Sequence, residues 1–451
     1  MKNYTHLFLF LCLLGTFTAC KKDKDPTGGS ALDELLEDAL TVAADGRGLD
    51  YFKLPDSDDY DEIPQDPKNP ISKAKVDLGK LLYHETGLAL APKMDVGEAT
   101  YSCASCHFAS AGFQAGRVQG IGDGGVGFGV NGEGRVKATM YQGDSIDVQP
   151  IRTPTALNVA YQVNMLWNGQ FGATGHNVGT EDRWKVGTPI ENNFLGYEGV
   201  EIQAIAGLGV HRLVIDSDFL DENAYKPLFD AAFPSVPIPD RYDTERAALA
   251  IAAFERTLLA NEAPFQKWLD GQKNAMTDAE KRGAVVFFEK ANCNSCHSGP
   301  ALNSMEFHAL GMSDLFECPE TIFKASAASG ENKGRGGFTG VAADEYKFKV
   351  PQLYNIGDSP FYGHGSSFRT IKEVIEYKNQ AVPQNPNVPS SQLANEFVPQ
   401  NLSESDINDI TAFLSNALRD PNLMRFQPSS LPSGLCTPLN DDMARAELGC
   451  N

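Results

Sequence analysis

The run Cys-x-x-Cys-His occurs twice, at Cys103–His107 and at Cys293–His297. No other feature of the 451-residue chain restricts its fold and chemistry as tightly. Two thiols at that spacing, with histidine directly after the second, suit covalent attachment of haem. The sulfurs add across the vinyl groups, and the histidine is carried beneath the ring to bind iron. The chain is therefore predicted to hold two c-type haems, one on Cys103, Cys106 and proximal His107, the other on Cys293, Cys296 and proximal His297. Zinc sites and redox dithiols also use Cys-x-x-Cys. Neither needs histidine after the second cysteine in both copies, and no thioredoxin-like strand-then-helix pattern precedes either motif.

The N-terminus reads as an export signal. Met1-Lys2 is a charged start, Leu7 to Gly15 is an apolar run too short to span a bilayer, and Phe17-Thr18-Ala19-Cys20 resembles a bacterial lipobox. The expectation is a signal peptide over 1–19, a lipid anchor on Cys20 and a polar tether over 20–30. That places the protein on the outer membrane facing the periplasm, with the cell surface as the other location. An ordinary cleaved signal would release a soluble periplasmic protein instead. No later segment is long and apolar enough for a membrane helix. The net charge of −21 gives phosphate backbones no electrostatic reason to bind, so nucleic acid is excluded as a partner. It suits a cationic electron donor, and equally a merely soluble surface.

Of the other cysteines, Cys12 lies in the signal and Cys20 is the anchor, which leaves Cys318, Cys436 and Cys450. Cys436 and Cys450 are spaced to staple the C-terminal tail in an oxidising compartment.

Periodicity is mostly helical. Leu32, Leu35, Leu36, Ala39, Leu40 and Ala43 mark an amphipathic helix over 31–44. Asp243 or Thr244 caps a helix to about Ala260. Thr277 to Glu280 is a capping box for a helix through Lys290 that delivers Cys293, and Ser403 to Asp406 opens one through Leu418. Stretches 120–148 and 168–200 are turn-rich, and the Gly-x-Gly-x-x-Gly run from Gly122 to Gly127 lacks the strand and helix of a dinucleotide site. The boundary between haem units is expected near Asn261 to Asn274, giving 31–262, 263–424 and a tail over 425–451.

Beyond the motifs, the chain from about Leu78 to Leu418 resembles the bacterial di-haem cytochrome c peroxidases and their MauG-type relatives. The landmarks are Leu78 to Tyr83, Arg152 to Asn158, Leu166 to Gly169, Ala253 to Leu258, Phe307 to Gly311 and Phe348 to Asn355, in that order. The resemblance implies a mainly α protein with two cytochrome c-like haem domains, long loops and few short strands. It also implies hydrogen peroxide as substrate, a peroxide-reacting first haem, and a second haem fed by a small cytochrome or cupredoxin.

It further implies roles for individual residues. Trp167 corresponds to a tryptophan between the haems, against the plain alternative of core packing. Gln203 fits the family's distal glutamine. The distal glutamate has no carboxylate in register, and His211 stands nearest. His211 is open to three roles, a distal acid-base, a closing sixth ligand or a structural histidine. The sixth ligand of the second haem, methionine in the peroxidases and tyrosine in MauG-type enzymes, aligns with Tyr377. An inter-domain calcium is a further family feature; Arg152 stands where an asparagine ligand is expected, which argues against the same coordination, while backbone carbonyls near Asp358 and Pro360 keep calcium a possible cofactor. Two other functions stay open. One is a MauG-like enzyme oxidising side chains of a partner protein, the other a non-enzymatic electron-transfer lipoprotein.

Overall fold

The computed structural model describes residues 30–450. The expected signal peptide, the Cys20 anchor and nearly all of the tether lie outside the described residues. Helix dominates. The strands are two short antiparallel pairs, Gly125–Val126 with Val136–Lys137 and Phe307–His308 with Phe348–Lys349. Among the described residues no helix is long and apolar enough to cross a membrane.

The capping signals define helix starts well and ends less well. Ser30 and Asp33 close a box at the head of the Ala31–Ala43 helix, and Thr277 with Glu280 does the same for Asp278–Phe288. Asp243 caps Thr244–Arg256, which stops short of Ala260. The reason is that Asn158 takes both the Leu258 carbonyl (2.7 Å) and the Ala260 amide (3.0 Å), pulling the chain out of helix. The Ser403 box opens Glu404–Ala412, continued by a π-helical turn over Phe413–Ala417. There the Leu418 carbonyl is claimed by the Asn355 amide at 3.0 Å.

Asn158 and Asn355 belong to a construction the chain makes twice. Each half runs from a helix, Lys73–His84 or Asp278–Phe288, into a haem motif, and the motif into a tight hairpin bridged at Phe108 and Gln114 or at Ser298 and Asn303. Next come a left-handed asparagine and a second hairpin, bridged at Met165 and Phe171 or at Tyr362 and Phe368. A helix then covers the site, Gly199–Val210 or Ile371–Gln380, and a last helix packs across the first. Both crossings use glycine. A Cβ on Gly79 would stand 1.9 Å from the Ala250 carbonyl oxygen, and one on Gly283 would stand 1.9 Å from that of Asp409. Only glycine lets the backbones meet this closely. One continuous core, including Leu82 and Phe254 in the first half and Phe287 and Phe413 in the second, joins the two.

Two segments sit differently from the sequence expectation. The Ala31–Ala43 helix, expected within a unit over 31–262, packs on Asp278–Phe288 of the second half. Its buried Asp33 receives Lys281 Nζ at 2.6 Å and the Trp268 indole N–H at 2.7 Å. The expected boundary near Asn261 to Asn274 contains the helix Pro264–Leu269, whose Phe265 and Trp268 are fully buried. The tail returns to the first half. It carries the helix Asp442–Leu448 and the disulfide Cys436–Cys450, while Cys318 is buried and unpaired. The Ser102 and Ser105 hydroxyls donate to the Pro438 carbonyl at 3.4 and 3.0 Å, and Asp441 pairs with buried Arg135 at 3.1 Å.

Candidate functional site

Each haem motif folds as a tight turn, Cys103–Ser105 and Cys293–Ser295, and each histidine is aimed by the hairpin that follows. His107 Nδ1 lies 3.1 Å from the Phe113 carbonyl, and His297 Nδ1 lies 3.0 Å from that of Leu302. Both acceptors belong to left-handed residues, Phe113 at φ 56° and Leu302 at φ 46°. For side-chain-bearing residues that backbone is strained, and here it turns the carbonyl back onto the ring. With Nδ1–H donating, Nε2 carries the free lone pair that an iron needs. Burial holds His107 down to about 4 and His297 to about 3, so both rings are neutral. Burial also pushes the Cys106 thiol up to about 12 and Cys293 to about 11.

Beside Cys293, Cys296 and His297 opens a cavity of about 580 Å³, inside the range of roughly 300–1,000 Å³ typical of ligand and cofactor sites. Three cationic side chains line it: Arg152, Lys349 and Lys378. Arg152 Nη2 donates to Gln114 at 2.7 Å and to Ser359 at 2.8 Å, while buried Nη1 has no partner. Lys349 Nζ donates to Gln162. Burial pulls Arg152 down to about 10 and Lys349 to about 7. Burial likewise lowers Lys378, against the pull of the Cys293 and Cys296 sulfurs. Enclosed cations without carboxylates are costly. A haem brings two propionates, so the cavity and its charges fit that group.

The halves exchange backbone bonds at this cavity. The Arg152 N–H donates to the His364 carbonyl at 2.9 Å, and the Lys349 N–H donates to the Trp167 carbonyl at 2.8 Å. Trp167 and His364 occupy matching places in the second hairpin of each half and meet edge to face, 6.4 Å between centroids. The Trp167 indole N–H donates to the Arg152 carbonyl at 2.8 Å, and its ring lines the cavity. His364 is fixed by Asp314 Oδ1 at 3.0 Å and by Phe348, stacked 3.6 Å away.

Tyr377 departs from expectation. Its phenol donates to the Leu310 carbonyl at 2.5 Å, and its ring packs with Phe368 and Phe397 behind the cavity wall. The face of Ile371–Gln380 that lines the cavity is Ile371, Val374, Ile375, Lys378 and Asn379. One residue along a helix rotates the side chain by about 100°, so the register turns Tyr377 aside and brings Lys378 in.

At the first motif, His211 closes the Gly199–Val210 helix that also carries Gln203. The helix is pinned by Arg256, whose guanidinium meets fully buried Glu201 through two bonds of 2.9 and 2.6 Å. Gln203 is half-buried, and its amide lies 3.5 Å from the position a Cβ on Gly207 would take. His211 Nδ1 lies 2.8 Å from Asp147 Oδ2. Burial lowers the imidazole, but the charge and hydrogen bond of Asp147 reverse this and leave it raised. Asp147 is lowered despite its burial, by His211 and Arg212. Arg212 in turn binds Asp123 at 2.7 Å, and Tyr101 donates to the His211 carbonyl at 2.9 Å. His211 adds to the burial that depresses His107, and Asp147 adds to the burial that raises Cys106, which puts the pair beside the first motif. Sequence reasoning missed Asp147, which lies 64 residues from its partner.

The fold and these cradles define a c-type protein built around two haem motifs. The family model described as di-haem cytochrome c peroxidase matches residues 73–274. The chain is 28% identical over 404 residues to the methylamine utilization protein MauG of Methylorubrum extorquens, covering 87% of this chain and 92% of that protein. It is 26% identical to the cytochrome c peroxidase Ccp of Escherichia coli, covering 86% of this chain and 68% of the other. A solved MauG-like protein associated with microbial copper homeostasis shares the fold, with a TM-score of 0.55 at 22% identity over 82% of this chain and 96% of that one. The chain is thus similar across both halves to proteins named MauG and cytochrome c peroxidase, and its first half matches the di-haem cytochrome c peroxidase model.

Proposed function

We propose that the protein is a di-haem c-type peroxidase that reduces hydrogen peroxide with electrons from a small cytochrome or cupredoxin. The observation that carries this reading is the His211–Asp147 pair at 2.8 Å beside the first haem motif. When bound, the haems supply redox-active iron, held by Cys103, Cys106 and His107 at one site and by Cys293, Cys296 and His297 at the other. Arg152 and Lys349 would meet the propionates of the second.

Asp147 fixes the proton of His211 on Nδ1, which leaves Nε2 to accept a proton from peroxide and return it to the departing oxygen. Gln203 would orient the same molecule by hydrogen bonding. Trp167, bonded to the Arg152 carbonyl and edge-on to His364, offers an aromatic path between the halves. Calcium at the Arg152 position is disfavoured, because a buried guanidinium spanning Gln114 and Ser359 already puts positive charge there. Residues 73–262 and 278–424 are the proposed haem units. Export, lipidation at Cys20 and a periplasm-facing membrane location complete the reading, supported by the N-terminal sequence.

Stopped-flow mixing of purified protein with peroxide, with and without reduced cytochrome, tests it. The expected result is a haem spectral change on mixing and sustained turnover only with the donor. No spectral change at all would leave an electron carrier. A spectral change without donor-dependent turnover favours the MauG-like reading, in which a partner protein is oxidised.

A further inference from the structure

The helix Ile371–Gln380 turns five residues toward the cavity beside Cys293, Cys296 and His297: Ile371, Val374, Ile375, Lys378 and Asn379. Three are aliphatic, and the Asn379 amide is given to the Leu402 carbonyl at 3.2 Å. Lys378 ends in an amine and is half-buried at the cavity wall.

The other amine and imidazole side chains around the cavity are already committed. His364 Nε2 is 3.0 Å from Asp314, with its face against Phe348. His308 Nε2 sits 3.7 Å from Cys296 Sγ and 3.2 Å from Glu306. The Met312 sulfur is wedged against Gly363, 3.2 Å from where a Cβ would stand. Lys349 Nζ is given to Gln162, and the Tyr377 phenol to Leu310. Of the amine and imidazole groups around the cavity, Lys378 alone has no hydrogen bond or carboxylate partner within the described residues, and besides burial the groups acting on its charge are the two thiols of the haem motif, Cys293 and Cys296. Its charge also reaches His297. The amine thus shares a chamber with the proximal imidazole and both attachment sulfurs, on the helix that covers them.

We infer that Lys378 is the sixth ligand of the second haem, giving that iron histidine and lysine nitrogen as its axial pair. On binding, the ammonium releases one proton to the medium, and the Nζ lone pair forms the iron–nitrogen bond. Two nitrogen donors would distinguish this centre from the methionine-ligated and tyrosine-ligated alternatives. The burial of Lys378 without a counter-charge is then explained by the metal it meets.

This inference rests on the di-haem reading, and the test separates the two. Protein is produced with lysine labelled with 15N at Nζ, and covalent haem is counted by pyridine haemochrome. Pulsed electron paramagnetic resonance is then recorded on the low-spin ferric signal. Two haems per chain with a directly bound 15N coupling is the expected result. Two haems without that coupling overturns lysine ligation alone, whereas fewer than two overturns the di-haem reading itself. K378Q is expected to lose the low-spin signal of the second haem, and Y377F to keep it with the 15N coupling intact. A K378Q spectrum identical to wild type refutes the assignment. Should K378Q fail to take up haem, the labelled wild-type protein still decides.

Discussion

Replacing His211 by alanine removes the group proposed to move the peroxide proton, and the structure sets the size and pH dependence of the effect. General acid–base catalysis contributes a factor of about 10² to 10⁴, or about 2.7–5.5 kcal/mol at roughly 1.36 kcal/mol per tenfold. His211→Ala should therefore slow the peroxide-induced spectral change at least a hundredfold with both haems attached. It also leaves buried Asp147 without its 2.8 Å partner. Arg212 Nη2, 3.9 Å from the same oxygen, tempers that loss. An unpaired buried acceptor costs about 1–3 kcal/mol, visible as a lower denaturation midpoint. The pH profile is the sharper test. His211 must be neutral to accept a proton, so the rate should rise as pH climbs through its raised pKa. Asp147→Asn removes the counter-charge while burial remains, so the pKa falls and the inflection moves to lower pH. In stability, the ion pair contributes above the lowered pKa of Asp147 and below the raised pKa of His211, and fades outside that window. An unchanged rate in H211A, or an unmoved inflection in D147N, would make His211 structural.

Trp167→Phe should leave the first reaction with peroxide at its native rate and slow the sharing of oxidising equivalents between haems, as followed by rapid-scan spectroscopy. Equal sharing rates would reduce Trp167 to packing. Gly79→Ala drives a methyl toward the Ala250 carbonyl, 1.9 Å away, and should cost about 1–3 kcal/mol or more in unfolding measurements. Asp441→Asn leaves Arg135, 1% exposed, without its anion. It should destabilise the fold by about 3–5 kcal/mol, and a midpoint equal to wild type would contradict that. Chelation of divalent cations should leave peroxide turnover unchanged, because Arg152 supplies the charge at that position. A loss restored by calcium would refute this.

What the sequence disclosed depended on how far apart the cooperating residues lie. Each haem motif is five adjacent residues, so attachment and proximal ligand could be read directly, and side-chain caps fixed helix starts within a residue or two. The helix end at Arg256 is set by Asn158, distant in the chain, and no local pattern announces it. Asp147 was hidden for the same reason. Tyr377 is a case of another kind. The structure turns it away from the cavity, and the helix's own apolar pattern points to its neighbour. Ile371, Val374 and Ile375 stand at helical spacing, and the next position on that face is Lys378. A lysine continuing an aliphatic stripe was the signal to weigh.

The bond from Ser102 and Ser105 to the Pro438 carbonyl has a consequence for the order in which the protein matures. Those serines flank the thiols of the first motif, and the carbonyl belongs to a tail closed by the Cys436–Cys450 disulfide. The first attachment site is thus covered by a carbonyl 333 positions further along the chain. Its covering waits on the folding of that distant segment, and disulfide closure there is expected to act as a latch. A chain that oxidises its tail before receiving haem would enclose two free thiols.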